Sequence, residues 1–258
     1  MTEAPELVLC IPGPWTSREE LLESMSASDA GFVYAGHLLL EMETGFTCEL
    51  VFEGADPAVT AAFRVAGPHW AASEAMADVA GHASVVYLAG KGGTREAAES
   101  MMRAGAALVD AGGLGVKVDS TGIAHGPAYW TELCHELHLQ TAHRALVVYI
   151  TGQDVYSCGM HNFGLPEAIV TPVDGDVQAA ADLLRTFTHY LFAQAPVFEE
   201  GHTFSVSEGA PVYRVRAAPA LDYGPDSLFN NPYGVWELEP EVLQKAEKKA
   251  GWWNRLRH

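Results

Sequence analysis

Residues 84–119 read SVVYLAGKGGTREAAESMMRAGAALVDAGGLGVKVD. Ser84–Ala89 is a strand-length run of β-branched, aromatic and apolar side chains. Gly90–Gly93 breaks it, and Thr94 stands where a helix cap belongs. Arg95–Ala111 is rich in Ala, Met and Glu, and Gly112-Gly113 ends it. Leu114–Asp119 then reads as a strand. Strand, helix and strand in succession predict a mixed fold of helices and sheet.

Outward from this unit the same grammar repeats. Leu7–Ile11 is a short apolar run of the buried-strand kind, closed by Pro12-Gly13-Pro14. Ser17 lies three residues before Glu20, the spacing of a capping box, and predicts a helix through Met25. Phe32–Met42 reads as one strand and Phe46–Phe52 as its partner across Thr44-Gly45. Asp56-Pro57 predicts the start of a helix to Val65, and Ser73–Val79 is a second short helical segment. Toward the C-terminus, Ala128–Leu137 reads as helix, Arg144–Thr151 and Asp154–Cys158 as strands, and Ala168–Thr171 as extended chain. Asp176 caps a helix over Val177–Ala193. Thr203–Ser207 and Val212–Val215 form a hairpin around Glu208-Gly209.

This order predicts an α+β fold of two ferredoxin-like (split βαβ) sandwiches on mainly antiparallel sheet, separate or fused. The predicted units are residues 1–92, residues 93–218, and an arm with a basic C-terminal helix over 219–258. Pro219–Glu239 mixes Pro, Gly and Asn with Tyr223, Phe229, Tyr233 and Trp236, with no period of two or of 3.6. It reads as an arm pinned by its aromatics, and such an arm also fits a homodimer contact.

Of the 258 residues, 48% are apolar, which is ample for a packed core. No apolar run approaches the roughly 18–20 residues of a membrane span. The opening Met1–Glu6 lacks the basic start and apolar stretch of a signal peptide. Four scattered cysteines are too few for a disulfide scaffold, so the expected compartment is the reducing cytoplasm. The net charge is −18, from 33 acids against 15 Lys and Arg. Such a surface repels phosphate backbones and argues against nucleic-acid binding. Residues 245–258 nevertheless hold five bases and one acid. There Lys245, Lys248, Lys249 and Arg255, with Trp252 and Trp253, are candidates to meet an acidic partner or dock on the body.

Candidate chemistry is sparse. Cys134 and His138, with Cys158 and His161, could make a tetrahedral zinc site if the two segments meet. The spacing matches no zinc finger or ribbon, and residues three apart on a strand face opposite ways. His135-Glu136-Leu137-His138 misses the metalloprotease pattern, because its histidines are three rather than four apart. Gly90-Lys91-Gly92-Gly93-Thr94 lacks the ending of a phosphate loop, and no GxSxG elbow occurs. His82 and His125 flank strands without a triad around them.

Tyr156-Ser157-Cys158-Gly159-Met160-His161-Asn162-Phe163-Gly164-Leu165-Pro166-Glu167 resembles the bacterial DUF4261 family, a domain of unknown function. The likeness continues through Ala179–Leu191 and Gly201-His202-Thr203-Phe204. Cys10-Ile11-Pro12-Gly13-Pro14-Trp15 resembles longer proteins that carry the domain. The resemblance implies an intracellular bacterial protein and transfers no catalytic residue. With no complete catalytic constellation and opposite charges on body and tail, the sequence favours a non-catalytic binding or regulatory module. One version is an acidic inhibitor or immunity-type protein facing a basic protein partner. No cofactor is expected. The alternatives are a metal-dependent enzyme on the Cys/His set and a small-ligand sensor with a cleft between the halves.

Overall fold

The apolar run at the N-terminus sits in the middle of a seven-stranded sheet. The computed structural model describes residues 4–28, 30–67 and 69–241. The first part of the chain forms β1 (Glu6–Gly13), α1 (Arg18–Ser28), β2 (Phe32–Ala35), β3 (Leu38–Glu41), β4 (Thr47–Gly54), α2 (Pro57–Val65) and α3 (Glu74–Ala80). It continues as β5 (Ser84–Lys91), α4 (Arg95–Asp110), β6 (Val116–Val118) and β7 (Ala124–His125). The strand order is β2-β3-β4-β5-β1-β6-β7, and every neighbouring pair is antiparallel. Helices cover both faces. Leu7, Leu9, Ile11, Val86 and Leu88 pack with α1 and α4, while Cys10 and Val85 pack with Phe63, Trp70 and Val79 on the other side. Burial on both faces explains why β1 reads as a continuous apolar run.

The rest of the chain forms α5 (Pro127–His135), α6 (Leu139–Leu146), β8 (Val148–Thr151), β9 (Val155–Cys158) and β10 (Glu167–Val170). Then come α7 (Val177–Gln194), β11 (Thr203–Phe204), β12 (Tyr213–Ala218) and β13 (Val235–Pro240). The second sheet has the order β11-β12-β13-β10-β9-β8, and β10–β13 is its parallel pair. The fold is thus α+β, with seven α-helices and two mostly antiparallel sheets among the described residues. One buried cluster runs from Leu7 and Met101 through Trp130 and Leu146 to Phe187 and Leu238, so both sheets share a core.

The helix caps follow the sequence. The Asp56, Thr94 and Asp176 side chains accept from Ala58, Ala97 and Ala179 N–H. Four expectations change. Phe32–Met42 is two strands rather than one, because the chain reverses at Gly36, whose φ of 69° suits a tight turn. Arg144–Leu146 is the end of α6, and the strand begins at Val148. The His138 ring accepts from Gln140 and Thr141 N–H and starts that helix. The division between the sheets falls after His125, not between 92 and 93, since α4 returns the chain to β1 and adds β6 and β7. Val235–Pro240, inside the expected arm, is a strand paired on both sides. The basic segment holding Lys245, Lys248, Lys249, Trp252, Trp253 and Arg255 lies outside the described residues.

Candidate functional site

Alternation along β9, β10 and β13 sends one set of side chains into the core and the other outward. Val155, Ala168, Val170 and Leu238 are buried in the shared core. Tyr156, Ile169 and Glu237 are register partners on the opposite face. After β12 the chain crosses that outer face before it returns as β13. This strap and the sheet enclose a cavity of about 380 Å³, within the roughly 300–1,000 Å³ typical of small-molecule sites. Tyr156, Ile169 and Val235 form its floor, and Leu221, Tyr223 and Phe229 come from the strap.

At the inner end lies Glu167, buried and held by five donors. Its Oε1 accepts from Gly159 N (3.0 Å), His161 N (3.3 Å), His161 Nδ1 (3.0 Å) and Asn231 Nδ2 (3.1 Å). Its Oε2 accepts from the Ser157 hydroxyl at 2.7 Å. Burial pushes the carboxyl up, but the His161 hydrogen bond and charge and the other donors outweigh it and hold the group below the ordinary carboxylate range. The backbone donors exist because the chain turns at Gly159, where φ is 123°. A Cβ there would lie 2.0 Å from the Leu146 carbonyl oxygen, so only glycine fits. Asn231 also donates to Leu165 O at 2.9 Å and accepts from Tyr233 N at 2.8 Å. It therefore latches the strap to the sheet.

The constellation is not a nucleophilic relay. The Ser157 proton goes to Glu167 rather than to His161, and the Ser157 oxygen accepts from Ala168 N at 2.9 Å. Among the described residues, His161 Nε2 is buried without a hydrogen-bond partner. The cavity's other carboxylates are Asp154, Asp222 and Glu237, and among the described residues no Lys or Arg lines it. Asp154 accepts from the Thr171 hydroxyl at 2.7 Å and Asp222 from Gly224 N at 2.8 Å. Burial raises the Tyr223 phenol above its usual range, and so does its hydrogen bond with Tyr156.

The Cys134–His138–Cys158–His161 set is not gathered. Cys134 faces Met102 O, His138 caps α6, Cys158 faces Ser120 O, and His161 binds Glu167. Among the described residues, no three His, Cys, Asp or Glu side chains stand together as metal ligands. Burial pushes the Cys134 thiol up to about 12 and the Cys158 thiol higher still. The loop before α4 offers no anion nest, since Gly92 N and Gly93 N donate to Pro5 O and Asn162 O. His82 Nε2 accepts from Asp56 N, and His125 Nε2 donates to Ala145 O. All four cysteines are thiols. Among the described residues, no helix is long and apolar enough to cross a membrane.

An open groove of about 1,530 Å³ separates the strap from the first sheet, where Leu38, Cys48, Gly90 and Pro5 border it. Ala220, Leu221, Asp222 and Asn231 border both spaces, so the strap is their common wall. Sequence reading missed Glu167, Ser157, Asn231 and Tyr223 as a group. The one local signal was Glu167 closing the Phe163-Gly164-Leu165-Pro166 stretch. No curated protein and no solved structure matches this chain. Residues 156–239, which hold nearly all of the cavity's floor and the whole strap, match the family model described as Domain of unknown function (DUF4261).

Proposed function

We propose that this protein is a non-catalytic binding module that holds a small molecule beneath the 218–231 strap. The cavity of about 380 Å³ carries the reading, because it combines an apolar floor with a few fixed polar groups. The Asn231 latch supplies a way for occupancy to reach the rest of the molecule, since the strap also walls the open groove. A chemically diverse library screened by thermal shift, with hits mapped by hydrogen exchange, tests this. Hits should protect residues 218–234 and should be abolished by Ile169→Trp, which fills the cavity floor. Hits that survive that substitution and map elsewhere would overturn the reading.

The net charge of −18 supports a second reading, an acidic protein that masks a basic protein partner. Recovery of such a partner at low salt, lost as salt rises, would favour it, and salt-insensitive isolation would count against it. A bacterial, cytoplasmic setting goes with either reading, supported by the family resemblance and the four thiols. A ferredoxin-like core is our reading of the first sheet. Its order β4-β5-β1-β6, antiparallel throughout, supports it, with α1 and α4 packed together on one face. On that reading β2, β3, α2 and α3 are additions.

A further inference from the structure

Resting on the pocket reading above, we infer that the ligand is an organic cation: a protonated amine or guanidinium on an apolar or aromatic body. Three observations carry this. The cavity holds the carboxylates of Asp154, Glu167, Asp222 and Glu237 and, among the described residues, no basic side chain. The bases nearest along the sheet are already engaged. Arg216, the register partner of Glu237, binds Glu239 (3.1 Å) and Glu200 (3.0 Å), and Arg214 binds Glu241. Glu237, which lines the cavity, has no ion pair or side-chain hydrogen bond among the described residues. Second, this is a built recess and not only an acidic surface. Glu167 is 8% exposed and fixed by five donors, and the strap covers the face. Third, the remaining lining suits the rest of such a molecule. Tyr156 and Tyr223 offer aromatic faces and phenol oxygens to a cationic head, and Leu221, Phe229 and Ile169 receive an apolar body.

The overall charge of −18 acts in the same direction, drawing cations toward the surface and repelling anions. An anionic ligand would have to enter among these carboxylates with no Lys or Arg among the described lining residues to offset them.

Three probes of matched shape test the inference on the full-length protein: phenethylammonium, 2-phenylethanol and phenylacetate. Dissociation constants come from titration calorimetry, with hydrogen exchange locating the site. Phenethylammonium should bind at least about tenfold tighter than 2-phenylethanol, the ratio that one well-placed charge contact supplies. Phenylacetate should be weakest. The double substitution Asp154→Asn with Glu237→Gln should bring the ammonium-to-alcohol ratio down toward one. Circular dichroism and a thermal melt verify that this variant folds, and Glu237→Gln alone should still lower the ratio. Equal binding of the alcohol, preference for phenylacetate, or failure of all three probes would overturn the cation inference. The pocket reading is judged separately from the diverse library. Neutral or anionic hits lost on Ile169→Trp would keep it while the cation inference falls.

Discussion

Lowering the pH from 7.5 to 5.5 should destabilise this protein, and two buried rings set the size of the loss. His125 and His143 are 5% and 6% exposed. Burial, the main cause, lowers each to about 4 from an ordinary 6.5. His125 donates from Nε2 to Ala145 O at 2.8 Å and lies beside Tyr129 and Trp130. His69 opposes its protonation. His143 faces Thr188, Tyr149 and His189. Nearby Arg185 lowers its proton affinity further, and Glu167 partly offsets this. A folded-state value below the unfolded one means the unfolded chain takes the proton first. The neutral packing of each ring therefore stabilises fully above about 6.5, and that contribution drains away as pH falls toward 4. Ideal linkage at pH 5.5 gives a loss of about 3 kcal/mol for the two rings together. Glu41 and Glu167 do not enter this window. Both are held below the ordinary 4.5, so their contributions are lost only under it. Approach to the pI of about 4.9 reduces self-repulsion, which would stabilise, so a measured loss points to the histidines. Urea denaturation at both pH values provides the assay. His125→Gln and His143→Gln should each remove about half of the pH-dependent difference, whatever they do to absolute stability. A wild-type difference under about 1 kcal/mol, or a full difference retained in the double variant, would refute the reasoning.

Other consequences follow from the same contacts. Gly159→Ala forces a methyl to within 2.0 Å of the Leu146 carbonyl oxygen at a φ of 123°. It should cost at least about 3 kcal/mol in chemical denaturation, and a loss under 1 would show that the turn relaxes. Glu167→Ala strands five buried donors and should cost about 3–5 kcal/mol, clearly more than Glu167→Gln, which keeps the side chain's shape and one acceptor oxygen; equal costs would contradict the network. Asn231→Ala removes the latch. Amides of residues 219–234 should exchange hydrogen faster, while global stability falls by only about 1–3 kcal/mol. Cys10, Cys48 and Cys134 are pushed up to about 12 by burial, and Cys158 higher. A thiol reagent at pH 8 should therefore find none of the four in the native protein and all four after denaturation.

Much of the fold was legible where a local rule has a single outcome. Asp56-Pro57, Thr94 and Asp176 each start a helix because a side-chain oxygen meets an orphan N–H, which needs no tertiary context. The misreadings occur where context decides. Leu38-Leu39-Leu40 continues the apolar character of Phe32-Val33-Tyr34, so the reversal at Gly36 is hidden inside what looks like one strand. Residues 139–146 are helical because His138, an unusual cap, accepts the first N–H groups, and nothing in Arg144-Ala145-Leu146 opposes a strand. β13 carries Glu237 and Glu239 and ends in Pro240, residues that strands disfavour. It forms because β10 and β12 both pair with it, and those partners lie up to about 70 residues away in the chain.

The same distance explains why the site stayed hidden. A metal cluster or a nucleophile elbow announces itself because its residues are spaced by one helix turn or one strand. The cavity has no such spacing. Its floor comes from β9, β10 and β13, the last paired in parallel with β10, and its cover from a segment with no period at all. Each residue alone has an ordinary reading: Glu167 a surface acid on a short strand, Asn231 a turn former, Tyr223 a pinned aromatic. Only the β10–β13 register, Glu167 against Val235, brings Asn231 to within hydrogen-bond reach of Glu167. The cavity in this protein is therefore a property of strand pairing. A substitution that slips β13 by one residue should abolish the pocket even if no lining residue is changed, because the slip would turn Glu237 inward and Leu238 outward.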